Sequence, residues 1–84
     1  MTGQIPQIDE IEKVMISVWE AILKVSPVHR DSNYFELGAN SLSIIKFVYE
    51  LEERGFFFDL TPNDVFFHQN VVSLAQSVRK KLAG

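Results

Sequence analysis

Apolar residues recur along this chain at helical spacings. Ile8, Ile11, Met15, Val18 and Ile22 fall three and four apart, with Trp19 and Leu23 widening the stripe, the signature of an amphipathic helix. Asp9, Glu10 and Glu12 lie in its first turns and Lys24 at its end, the polarity that a helix macrodipole favours. Pro27 stops the helix within a residue or two. The pattern predicts a helix over residues 8–25. Trp19 sits beside the apolar stripe and is read as a core filler rather than a ligand-stacking group.

A second helical pattern opens at Ser41 and runs to Arg54, with Gly55 as its C′ residue. At 100° per residue its side chains fall into three sectors. Ile44, Phe47, Val48 and Leu51 form a core face, and Ser43, Lys46, Glu50 and Glu53 form a polar one. Leu42, Ile45 and Tyr49 make a second apolar stripe, surplus to core packing in a small bundle. Contact with neighbouring loops and an exposed strip for docking partners account for it equally well. Ser41 stands where the helix leaves backbone N–H groups unpaired and carries partial positive charge. Its hydroxyl serves either as a plain helix start or as a point where a phosphate group is held.

Between these helices, residues 26–40 form a loop, long for so small a domain. Phe35 and Leu37 alternate with Glu36 and are expected to anchor it in the core, with Tyr34 a third anchor or half exposed. Asp31, Ser32 and Asn33 supply turn chemistry, and Gly38 allows backbone angles that other residues resist. His29 has no carboxylate or second histidine at ligand spacing and reads as a surface residue.

Residues 56–60 are a run of three phenylalanines, Asp59 and Leu60, with no second strand candidate to pair with. They are expected to act as a connector that drops two or three side chains into the core. Thr61, Pro62 and Asp64 then make a helix start, with a threonine cap, proline at N1 and an acid at N3. A short helix is predicted over residues 62–68 with Val65 and Phe66 inward and His68 a surface residue at its end. Asn70 caps a last helix with Val71, Leu74, Ala75, Val78 and Leu82 inward and Arg79, Lys80 and Lys81 as a solvated basic end. The architecture is all-α, a bundle of three longer helices and one short one with a long loop after the first. Residues 1–7 are a loose lead-in, and residues 8–84 form a single domain.

Composition narrows what such a bundle can do. Eighty-four residues make one domain, too small to enclose a substrate pocket. The chain has no cysteine, which removes disulfides, thiolate zinc sites and a cysteine nucleophile. A net charge of −3 argues against a nucleic-acid binder. The sequence has no apolar run of membrane-spanning length and no signal-peptide pattern at its start, so a soluble, cytoplasmic setting is expected. No nucleophile elbow surrounds Ser41, both histidines lie far from it in sequence, and the acids do not cluster as metal ligands. Only Gly38 is present where a phosphate-cradling loop needs several glycines and a lysine. No catalytic residue and no metal site is assigned. What remains is a modifiable serine at a helix start with an apolar strip beside it.

The segment Asn33-Tyr34-Phe35-Glu36-Leu37-Gly38-Ala39-Asn40-Ser41-Leu42 resembles the phosphopantetheine attachment motif of acyl and peptidyl carrier proteins. The resemblance runs from Ile8 to Leu82 and includes the four-helix layout, the Leu51-to-Gly55 end of the second helix and the Thr61-to-Phe66 start of the third. Ala39, Asn40 and Gln69-Asn70 depart from the commonest pattern, but Asn40 and Asn70 remain good helix caps. The resemblance implies an acyl-carrier-like bundle with 4′-phosphopantetheine, drawn from coenzyme A, attached covalently to Ser41. It implies a carrier, not an enzyme, that holds an acyl or aminoacyl group as a thioester. The implied partners are a phosphopantetheinyl transferase, an adenylation or other acyl-loading enzyme, and condensation, tailoring or thioesterase enzymes. Leu42, Ile45 and Tyr49 become a partner-docking strip on a monomeric protein that touches neither nucleic acid nor membrane. The weak acidity of the second helix and the Tyr34-to-Gly38 segment are closest in character to peptidyl carriers of nonribosomal peptide synthesis. A fatty-acid-type carrier and a non-carrier helical adaptor are the alternatives. The chain, starting at Met1 and ending just past the last helix, fits a free-standing carrier or a domain excised from a synthetase.

Overall fold

The structure is a computed structural model that describes residues 7–83; the predicted lead-in lies, but for Gln7, outside the described residues. Four helices follow in order: α1 (Ile8–Leu23), α2 (Ser41–Glu53), α3 (Pro62–Phe67) and α4 (Val71–Ala83). No strand occurs among the described residues, and the all-α bundle is the predicted one. Helix α1 packs against both α2 and α4, while short α3 packs on α2.

The apolar stripes of α1, α2 and α4 meet in one core. Ile11, Met15, Val18, Trp19, Ile44, Phe47, Val71, Leu74, Ala75 and Val78 are all fully buried. At its centre three rings stack. The Trp19 ring lies 4.4 Å from Tyr34 and 4.2 Å from Phe47, near parallel to both. Such pairs add about 0.5–1.5 kcal/mol each beyond the area they bury. The stack joins α1, the long loop and α2 through one indole, which makes Trp19 the core filler its position predicts. Its Nε1 is buried with no partner among the described residues, a polar cost carried inside the stack.

Several local expectations are corrected. Helix α1 ends at Leu23 because Lys24 turns left-handed, with φ 56°, ahead of Pro27. Glu12 has a partner that its place near the start of α1 does not reveal. It is nearly buried, and its two carboxylate oxygens accept from Arg30 Nε at 2.7 Å and from the Arg30 terminal nitrogen at 2.9 Å. The hydrogen bonds and the charge of Glu12 raise the Arg30 pKa further above its ordinary value. This pair ties the long loop to α1. A second tie is the Val28 N–H, which donates to Glu20 at 2.8 Å.

Tyr34, not Phe35 or Leu37, is the main anchor of the loop. Tyr34 is fully buried, while Phe35 and Leu37 pack half-buried against the core. The expectation rests on strand-like alternation, but this segment coils: Glu36, Leu37 and Gly38 donate to the carbonyls three residues back. In the connector, Phe58 is buried and Leu60 packs against the core, while Phe56 and Phe57 are exposed. In α3 only Val65 is buried; Phe66 is exposed and stacks on Phe35 at 5.8 Å. His68 is half-buried, its Nδ1 2.6 Å from the Ser73 hydroxyl. The basic end of α4 is not wholly solvated either. Lys81 Nζ donates to Asp64 at 2.6 Å and to the Asp59 carbonyl at 3.1 Å.

Candidate functional site

The start of α2 is assembled from the loop before it. Tyr34 is the hub. Its hydroxyl donates to the Val65 carbonyl of α3 at 2.7 Å, and its N–H donates to the Gln69 carbonyl at 3.2 Å. Its carbonyl accepts from Leu37 N at 3.1 Å and Ala39 N at 3.0 Å. Burial pushes the phenol pKa well above its ordinary value, so it stays a neutral donor. Asn33 reinforces the turn, its side-chain oxygen accepting from Phe35 N at 2.9 Å. Gly38, with φ 110°, takes the left-handed angle that reverses the chain into the helix.

Asn40 is the N-cap of α2, and Ser41 is the first helical residue. The Asn40 side chain accepts from Ser43 N at 3.0 Å, and the Ser43 hydroxyl accepts from Asn40 N at 2.7 Å. This reciprocal box uses two of the donors a helix start leaves unpaired. It also bears on the helix-start reading of Ser41. The plain capping role belongs to Asn40 and Ser43, and the Ser41 hydroxyl is left exposed at the positive end of the helix. Ser43, expected on the solvated face, is instead nearly buried.

The second apolar stripe is exposed. Leu42, Ile45 and Tyr49 are 61%, 43% and 64% accessible. Their helical angles lie within about 60° of one another, and Ser41 lies about 40° from Ile45. Serine and stripe therefore share one side of α2. Neighbouring loops do not cover this stripe among the described residues. Beyond the stripe, on the side away from the serine, Ile22, Leu23, Leu37, Gly38, Asn40, Leu42, Ser43 and Lys46 line an open groove of about 300 Å³.

The arrangement can present a hydroxyl beside unpaired backbone N–H groups at a helix N-terminus, with the exposed apolar stripe on the same side. Those features fit a phosphate-linked, slender arm. Neither His29 nor His68 lines this groove, and no group of three potential metal ligands occurs among the described residues. No described helix is long and apolar enough to cross a membrane.

The family model described as "Phosphopantetheine attachment site" matches residues 13–78. A plipastatin synthase of Bacillus subtilis is 36% identical over 72 residues, 86% of this chain and 3% of that protein. A chondramide synthase of Chondromyces crocatus is 34% identical over 65 residues, 77% of this chain and 2% of that protein. A linear gramicidin synthase of Brevibacillus parabrevis is 30% identical over 74 residues, 88% of this chain and 1% of that protein. The chain thus spans a few per cent of the length of these relatives. No solved structure gives a significant match.

Proposed function

The chain belongs to the phosphopantetheine attachment site family, and we propose that Ser41 is the residue of this member that bears the arm. The observation that carries this reading is the division of labour at the start of α2. Asn40 and Ser43 cap the helix, and the serine between them is exposed and has no capping role. In the proposed loading step the Ser41 oxygen bonds to the phosphorus that carries the pantetheine of coenzyme A. The nucleotide phosphate departs, and the hydroxyl proton passes to a base on the transferase. Once attached, 4′-phosphopantetheine supplies a terminal thiol that holds an acyl or aminoacyl group as a thioester.

This chain contributes position and charge. The N-terminus of α2 favours the new anion, and Leu42, Ile45 and Tyr49 offer an apolar seat to partner enzymes. In this reading the chain acts as a carrier whose chemistry is supplied by others, in keeping with its membership of the attachment-site family. Residues 8–84 work as one domain and one monomer. The partners are a phosphopantetheinyl transferase, an adenylation-type loading enzyme, and condensation, tailoring or thioesterase enzymes. Relatives named as synthases of plipastatin, chondramide and linear gramicidin support a role in nonribosomal peptide synthesis, which this reading sets in the cytoplasm.

Incubation with coenzyme A and a broad-specificity phosphopantetheinyl transferase, followed by intact-mass measurement, tests the reading. Wild type should gain one phosphopantetheinyl unit and Ser41→Ala none. An equal gain on both would exclude Ser41 as the tether.

A further inference from the structure

We propose that Ser43 is a positioning residue for the loading of Ser41. The inference rests on the reading of Ser41 as the tether. Ser43 is 9% exposed, and its hydroxyl is spent entirely on one residue. Its oxygen lies 2.7 Å from Asn40 N, 3.0 Å from the Asn40 carbonyl and 3.2 Å from the Asn40 side-chain oxygen. A fourth contact runs the other way, from Ser43 N to that side-chain oxygen at 3.0 Å.

These bonds span Ser41 and Leu42 and tie down the residues on either side of them. The Ser41 backbone is therefore held while its side chain stays free to rotate. A transferase that must bring an exposed hydroxyl into line with a phosphorus atom gains from a fixed Cα. Small misplacements of a reacting group are costly in rate even when binding is intact. Ser43 touches no reacting atom; it acts through Asn40.

The same fold holds a matched control. Helix α3 starts with a box of the same kind, in which the Thr61 oxygen accepts from Asp64 N at 3.3 Å and Asp64 accepts from Thr61 N at 3.0 Å. The residues it spans are Pro62 and Asn63, to which the tether reading gives no reacting group. Loss of either box should weaken its helix by a similar amount, but only one should slow loading.

The experiment is steady-state phosphopantetheinyl transfer from coenzyme A onto the full chain, at a temperature where circular dichroism shows every variant folded. Ser43→Ala should lower kcat about five-fold, the scale of one lost cap contact, and leave KM unchanged. Ser43→Thr should restore the rate. Thr61→Ala should lower Tm comparably and leave both kinetic constants alone. Where Ser43→Ala fails to fold, Asn40→Gly, which removes the two contacts to the Asn40 side-chain oxygen and keeps the two to its backbone with little effect on helix stability, should give a smaller fall in kcat in the same sense. An unchanged kcat in folded Ser43→Ala, or in Asn40→Gly where Ser43→Ala does not fold, or an equal fall in Thr61→Ala, overturns the positioning role. Failure of the underlying reading looks different: wild type itself is not loaded, or Ser41→Ala is.

Discussion

The two apolar faces of α2 carry the same kinds of residue and meet opposite surroundings. Ile44, Phe47 and Leu51 are buried against α1 and the long loop, whereas Leu42, Ile45 and Tyr49 on the same helix stand in the open. Burying one such side chain is worth about 1.5–3 kcal/mol, so the outer face leaves a gain unrealised that a partner can collect. Composition does not separate the faces; the neighbouring elements do. One face maintains the fold, and the other, with Ser41 beside it, is available to act on other molecules.

Breaking the inner face should have the largest effect. Phe47→Ala removes a fully buried ring stacked 4.2 Å from Trp19. It should cost about 3–5 kcal/mol, a large part of the roughly 5–15 kcal/mol that holds a domain of this kind together. Urea unfolding followed by Trp19 fluorescence measures it, and a loss below about 1 kcal/mol would mean that the stack is not the centre of the core. On the outer face, Ile45→Glu should shift the unfolding midpoint little, within about 0.5 kcal/mol. It should slow loading and transfer by partner enzymes about ten-fold, the loss of one good interface contact. Unchanged transfer kinetics would remove the strip from the docking account.

The smallest effect sharpens the contrast by moving to α3. Where α2 is held by packing, this six-residue helix buries only Val65 and depends on its cap and on Lys81. Burial pushes the Asp64 carboxyl up, but its hydrogen bonds to Lys81 and Thr61 and the Lys81 charge outweigh this and hold it below the usual carboxylate range. The stabilisation is therefore complete at neutral pH and is lost as pH falls through that lowered value. Asp64→Asn should be less stable than wild type at pH 7 by roughly 0.5 kcal/mol, the scale of a partly exposed ion pair. The gap should close in strong acid. Chemical unfolding at both pH values checks this, and a gap independent of pH would contradict the ionic contribution.

Helices with a sustained three-and-four spacing are legible in the sequence because that spacing is what the core selects. The stripes of α1, α2 and α4 form the buried faces, and the cap chemistry of Asn40, Thr61 and Asn70 marks helix starts. Pattern misleads where local turns or distant partners decide the outcome. Alternation underrates Tyr34 because consecutive turns, not an extended strand, carry it inward. Periodicity places Phe66 inside because a six-residue helix shows too little of it to separate Phe66 from Val65. Glu12 finds Arg30 eighteen positions away, a pairing that no local pattern encodes. Ser43 lies on the polar side by periodicity, yet its box with Asn40 draws it in; a serine three residues after an asparagine is the available signal.

The central claim is that the exposed serine beside the outer face, and not its buried neighbour two positions on, is the tether. Wild-type chain loaded from coenzyme A, digested and sequenced by tandem mass spectrometry, tests it most directly. The added phosphopantetheinyl group should map to Ser41 alone, with Ser43 unmodified. Modification on Ser43, or on a serine elsewhere in the chain, would contradict the account.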